Sequence, residues 1–323
     1  MARKGRKQPA KAMAADGRSL GYFPRRRKAT RLQKRKYDKQ TTRAYTPAPN
    51  SFQLIGQVFS IFKKYWRPLG GIVLVYLILN IIFASGFSNI SNVFAEIKLN
   101  FQQDGKWHLS EAFDGFGSLV SNVSIGSVSE AASVFQGALF IVISLVIIWA
   151  LRHLLANQTI KIKQAFYQSM TPLVPFLLIM FVIILQLLPI TLGSLIVATI
   201  VLAIFTTSTT AMAIIVISIF GLAIWSIYML SSSVFALYIV TLPEMEPRKA
   251  LRSAKNLVKF RRWAVIRRVV FLPLFTLLAM AIIVIPLMLY ADVLVVPVFF
   301  VLSMLTILFI HTYLYSLYRG LLE

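Results

Sequence analysis

The chain has 323 residues, of which 58% are hydrophobic and 14% are charged, and its formal net charge is +23. Soluble domains usually carry about 25% charged residues, whereas no Asp, Glu, Lys or Arg occurs here from residue 164 to residue 243. This composition excludes an ordinary soluble protein, and the absence of cysteine excludes disulfides and thiolate metal sites. Because the apolar stretches are continuous rather than alternating, they predict membrane-spanning helices and not barrel strands.

The first fifty residues form a strongly basic segment. They contain sixteen Lys and Arg against Asp16 and Asp38, a net charge of +14, and no long apolar run. This composition predicts a disordered basic tail over residues 1–50, without the apolar segment of a signal peptide. Three alternatives remain open for the tail: it binds anionic lipid, it binds nucleic acid or the ribosome, or it is an orientation signal without a specific partner.

The membrane domain is predicted to start at Ser51. Apolar residues at helical spacing over 51–66 predict an amphipathic helix that lies at the membrane interface. Span one is expected at about 68–87. Residues 88–133 are of mixed polarity, and Phe113, Phe116, Val120 and Val123 predict a second amphipathic helix there. Span two is expected at about 134–151, followed by a basic connector over 152–171.

The stretch from 172 to 242 is apolar throughout and exceeds two ordinary spans. We expect it to cross the membrane twice, with a long third helix kinked at Pro189 and Gly193. A re-entrant piece at 190–205 is the alternative. Span five is expected at about 269–290, a tight turn at Asp292, and span six at about 294–318.

The distribution of Lys and Arg predicts the orientation, because cytoplasmic loops are enriched in these residues. Two crossings within 172–242 put every basic cluster on one side: both termini and the loops at about 152–171 and 243–268 are cytoplasmic, and 88–133 is external. The predicted fold class is therefore an all-α integral membrane protein with six transmembrane helices over residues 51–323, interfacial amphipathic helices and the basic tail.

The segment between spans four and five holds nine Lys and Arg from Arg248 to Arg268. Five of them recur at spacings of 4, 3, 4 and 3, namely Arg248, Arg252, Lys255, Lys259 and Arg262. This spacing predicts one basic amphipathic helix over 247–262 that meets anionic headgroups. The alternative is that these charges only set the topology and that the helix packs under the bundle.

The same segment, with Ala250, Leu251, Ser253, Leu257 and Trp263, resembles the loop of the bacterial YciC-like proteins and of the glycerophosphodiester phosphodiesterase membrane domain. The stretch "SFQLIGQVFSIFKKYWRPL" is similar to their entry helix. The resemblance implies an architecture over 51–323 and the plasma membrane of a prokaryote. No phosphodiesterase catalytic domain follows span six, and the basic tail is not part of the family pattern.

Few side chains in the predicted spans are polar enough for chemistry. His311 and Asn80 are the intramembrane candidates, and each has a structural alternative as a link between helices. The three histidines show no metal-binding spacing, and no nucleotide or nucleophile motif occurs. We therefore predict a protein that is not an enzyme, has no cofactor or metal, engages anionic membrane lipids, and serves in envelope maintenance or scaffolding. The alternative is a transporter or channel for a small or lipidic solute.

Overall fold

The computed structural model describes residues 49–101, 107–125, 130–205, 209–242, 245–259 and 261–322. Nearly all of the predicted tail over 1–50 thus lies outside the described residues. Every regular element within them is a helix. The α-helices are α1 (Ser51–Lys64), α2 (Trp66–Phe83), α3 (Gly86–Phe101), α4 (Leu109–Ile125), α5 (Glu130–Leu155), α6 (Ile162–Ser169), α7 (Leu173–Phe205), α8 (Thr209–Val240), α9 (Pro247–Val258), α10 (Arg262–Tyr290) and α11 (Val295–Leu322).

Six of these helices, α2, α5, α7, α8, α10 and α11, are long and apolar enough to cross a membrane. The prediction of an all-α polytopic membrane protein is confirmed. The third span is one continuous helix that contains Pro189. Residues 190–205 thus continue the expected long third helix, and the alternative of a separate re-entrant piece is wrong.

The last helix, α11, is at the centre of the bundle. It packs against α1, α2, α3, α5, α8, α9 and α10, and all residues from His311 to Tyr318 are buried. A helix that is buried all round needs apolar or hydrogen-bonding groups on every side. In contrast, α7 and α8 pack mainly on each other, and the main neighbour of α7 outside this pair is α9.

One end of the bundle gathers the basic segments, and we call it the basic end. Contacts between distant segments define it: Lys64 Nζ and Tyr65 Oη each lie 3.2 Å from Asn157 Oδ1, and Arg152 donates to the Thr241 carbonyl at 2.6 Å. The start of α2 therefore lies at the same end as the end of α5 and the end of α8.

The opposite end, which we call the Asp292 end, holds the short turn Asp292–Leu294 between α10 and α11. The carboxylate of Asp292 pairs with Lys98 of α3, and α4 packs against α10. The amphipathic helix predicted from Phe113, Phe116, Val120 and Val123 is present as α4. The helix α3 was not predicted, although its residues Ile90, Val93, Phe94 and Ile97 follow helical spacing and are all buried.

Candidate functional site

The helix α9 presents two different faces at the basic end. Its residues Ala250, Ala254 and Val258 are fully buried, and the helix packs chiefly against α8. Because alanine is small, this row at every fourth position lets the two helices approach closely. The remaining face carries Arg248, Arg252 and Lys255, and Lys259 directly follows the helix; these four side chains, which we call the cations of α9, are all exposed.

The predicted helix over 247–262 is longer than the observed one. α9 ends at Val258, and Arg262 is the first residue of α10. The guanidinium of Arg262 lies over the ring of Tyr228 at 4.7 Å, and the residue is half-buried. The spacing of 4, 3, 4 and 3 therefore does not continue along one helix as predicted, because α9 ends at Val258 and a separate helix begins at Arg262.

Exposed aromatic rings accompany the cations of the basic end. Trp66 is 66% exposed beside Lys64 and Arg67, and Trp263 is 83% exposed just after α9. Tryptophan is enriched at the level of lipid headgroups, where its ring meets the apolar boundary and its N–H meets water. This end thus combines exposed positive charge with the aromatic residues typical of a membrane interface.

His311 links three helices in the interior. Its Nε2 lies 3.0 Å from Ser144 Oγ on α5, and its Nδ1 lies 3.2 Å from Tyr238 Oη on α8. The ring of Tyr238 also stacks on Tyr318. Both imidazole nitrogens are thus engaged between helices, which is the structural alternative named for this residue.

Asn80 is also buried, at 1% exposure, in α2. Its side chain lies against Gly86 at the start of α3, where an added Cβ would collide with Asn80 Oδ1 and lie 3.3 Å from the Phe300 ring. The residue therefore sits where α2, α3 and α11 meet.

Arg152 makes specific contacts, although the sequence identified it only as a positive charge. Its guanidinium donates to the carbonyl and the hydroxyl of Thr241, at 2.6 and 2.5 Å, and to the Tyr238 carbonyl at 3.5 Å. These acceptors lie at the C-terminal end of α8, where helix carbonyls lack intrahelical partners and where the helix dipole favours a cation. The 89 positions between Arg152 and Thr241 hide this pairing from sequence inspection.

Within the described part of the chain, no three His, Cys, Asp or Glu residues lie close enough together to hold a metal ion. No family model, curated protein or solved structure matches the chain. The class that the fold and these surfaces define is that of a polytopic helical membrane protein with a basic end.

Proposed function

We propose that this protein is a non-enzymatic membrane protein whose basic end contacts anionic lipid, in an envelope-maintenance or scaffolding role. One observation carries the proposal. Arg248, Arg252 and Lys255 on α9 and Lys259 just after it are all exposed, while the opposite face of the same helix is buried in the protein. Burial fixes the helix and its orientation, so the cations point away from the bundle.

The proposed orientation places the basic end and both termini in the cytoplasm of a prokaryote, at the plasma membrane. Its support is the excess of Lys and Arg in the segments that meet at this end. The anionic lipids of a cytoplasmic leaflet attract such segments, by about 1 kcal/mol for each Lys or Arg near the surface. The resemblance to the YciC-like and phosphodiesterase membrane-domain proteins agrees with a bacterial plasma membrane and supplies no catalytic role.

The interior favours this proposal over a transporter or channel. His311, a buried ionisable side chain, hydrogen-bonds Ser144 and Tyr238. Large side chains of α8 and α11, such as Phe235, Tyr238 and Tyr313, are at most 1% exposed. A polar pathway at mid-membrane would instead need hydrated groups that face a cavity.

The test uses the full chain in phosphatidylcholine vesicles and Trp263, which is 83% exposed beside α9, as a fluorescent reporter. Brominated phosphatidylglycerol or brominated phosphatidylcholine is added, and a Trp263→Phe variant subtracts the other tryptophans. We expect stronger quenching by the anionic lipid, with a preference that falls as salt screens the charges. The measurement is repeated without residues 1–48, so that the basic tail does not contribute.

The decisive variant replaces Arg252, Lys255 and Lys259 by Gln. If each contributes about 1 kcal/mol, up to roughly 3 kcal/mol of attraction is lost and the preference for the anionic lipid disappears. Lys98→Gln, at the Asp292 end, is the matched control and should leave the preference unchanged. Equal quenching by both lipids in the wild type, or an unchanged preference in the triple variant, would refute the proposal.

A further inference from the structure

A cavity of about 930 Å³ lies at the basic end where α5 ends, α7 begins and α8 leads into α9. Its position follows from the packing: α5 packs on α2, α6 and α11, whereas α7 packs on α8 and α9. The cavity occupies the space between these two groups of helices. Its volume falls within the range of sites that hold small molecules, roughly 300–1,000 Å³.

The lining of the cavity has two parts. One part is apolar and comprises Leu145, Trp149, Pro172, Pro175 and Val240. The other part is polar and comprises Arg152, His153, Gln168 and Thr171. A molecule that satisfies both parts has an apolar body and a polar head, which is the chemistry of a lipid.

Arg152 supplies the charge of the polar part. Its three hydrogen bonds to the end of α8 hold the guanidinium in place, and because this group has five N–H donors, two remain for a ligand. Those three acceptors are neutral carbonyl and hydroxyl oxygens, so they do not cancel its charge. A held guanidinium with donors to spare suits a phosphate group.

The one carboxylate in the described lining belongs to Glu246, and it has a partner outside the cavity. Glu246 Oε1 lies 3.1 Å from Lys249 Nζ, and Lys249 does not line the cavity. The His153 ring, also in the lining, stacks on Trp149 with centroids 3.9 Å apart, and its Nδ1 donates to the Trp149 carbonyl at 2.9 Å. The stacking and the hydrogen bond together hold the two rings in place in the lining of the cavity.

We propose that this cavity binds one phospholipid with an anionic headgroup, its phosphate at Arg152 and an acyl chain along Trp149 and Pro172. The inference deepens the proposed function, on which it rests for the basic end facing an anionic leaflet. It does not involve the cations of α9, so the two claims are tested separately.

The experiment is native mass spectrometry of the full chain, released from detergent after incubation with phosphatidylglycerol or phosphatidylcholine. We expect one retained phosphatidylglycerol per chain and no comparable retention of phosphatidylcholine. Arg152→Gln should weaken retention at least tenfold. Because that change also removes the cap of α8, Thr171→Trp is the second variant: Thr171 is exposed, and an indole there should fill the cavity and weaken retention equally.

Two controls separate the outcomes. Gln164→Trp, at an exposed position near but outside the cavity, and the triple Gln variant of α9 should both keep the retained lipid. Equal retention of both lipids, or wild-type retention in Thr171→Trp, would overturn the inference. If only the triple variant loses the lipid, the lipid binds at α9 and not in the cavity; this result refutes the cavity inference and supports the proposed function. If the Trp263 reporter shows no preference for anionic lipid while Thr171→Trp loses the retained lipid, the proposed function is refuted and lipid binding in the cavity is supported.

A final competition experiment distinguishes binding of a lipid from binding of a free anion. Inorganic phosphate at millimolar concentration should not displace phosphatidylglycerol, because it leaves the apolar wall uncovered. Displacement by inorganic phosphate would show that the cavity recognises only an anion, which overturns the assignment to a lipid.

Discussion

At the scale of single residues, the buried His311 connects three helices. His311 accepts or donates one hydrogen bond to α5 and one to α8, and the two partners lie 167 and 73 positions away in the sequence. In a membrane such bonds are individually modest, with an average of about 0.6 kcal/mol measured between helices. Here two such bonds meet at the same imidazole ring, so His311 joins α5, α8 and α11.

We expect Ser144→Ala and Tyr238→Phe each to lower the free energy of unfolding by about 0.6 kcal/mol. The effect of each should vanish in a His311→Leu background, because the shared partner is gone. The measurement is a double-mutant cycle by denaturation in detergent. Ser232→Ala is the control, since that hydroxyl bonds only the Met229 carbonyl of its own helix. Losses that persist without His311 would contradict the network.

Gly86 is the second residue with a specific steric role. A methyl group there would collide with Asn80 Oδ1, so Gly86→Ala should destabilise the protein by about 1–3 kcal/mol through overpacking. Gly137→Ala is the matched control, because nothing lies within 4 Å of the added Cβ and alanine favours the helix by about 0.5–1 kcal/mol. Thermal unfolding in detergent should therefore shift in opposite directions for the two variants.

At the scale of elements, α9 shows how a helix can be buried along one face and carry exposed cations on the other. The buried row of Ala250, Ala254 and Val258 explains why the cations of α9 all face outward. Arg262 belongs to the next helix and contacts Tyr228 instead. A charge that is held over an aromatic ring is less available to a headgroup than one on an exposed face.

The break after α9 therefore predicts different effects for two arginines. Arg252→Gln should weaken the preference of the Trp263 reporter for brominated phosphatidylglycerol. Arg262→Gln should leave that preference near the wild-type value and instead lower stability by about 0.5–1 kcal/mol, the usual range of an exposed cation–π contact. Equal loss of lipid preference in both variants would mean that the two residues share one surface.

The elements also show what the sequence could and could not predict. Continuous apolar stretches and Lys and Arg clusters were enough for six spans, because both signals are local. The helix α3 was missed although its buried residues follow helical spacing, since Ser88, Asn89, Ser91 and Asn92 interrupt them. The contacts of Arg152 and His311 were beyond prediction, because packing alone brings their distant partners together.

At the scale of the whole molecule, the protein has two chemically different ends. The basic end gathers exposed cations and aromatic rings, and the Asp292 end carries α3, α4 and the pair of Lys98 with Asp292. This arrangement makes the orientation in the membrane directly testable. The native chain has no cysteine, so each introduced thiol is the sole site of labelling.

We expect Ser110→Cys to react with a membrane-impermeant maleimide in intact cells and Ser253→Cys to react only after the cells are opened. Both positions are exposed, one at the start of α4 and one on α9, so neither result can be attributed to burial. We expect this result because the excess of Lys and Arg at the basic end favours a cytoplasmic location for that end. The reverse pattern of labelling would invert the orientation and remove the cytoplasmic leaflet as the source of anionic lipid.

The hairpin of α7 and α8 has a consequence for the membrane itself. Its helices have 33 and 32 residues, about 50 Å each at 1.5 Å per residue, whereas the hydrocarbon core is about 30 Å thick. Tilts of up to about 40° do not absorb this difference, so the bilayer around the hairpin must thicken or the helix ends must leave it. We expect thermal stability to rise with the acyl-chain length of the surrounding lipid, which makes bilayer thickness a determinant of where this protein is most stable.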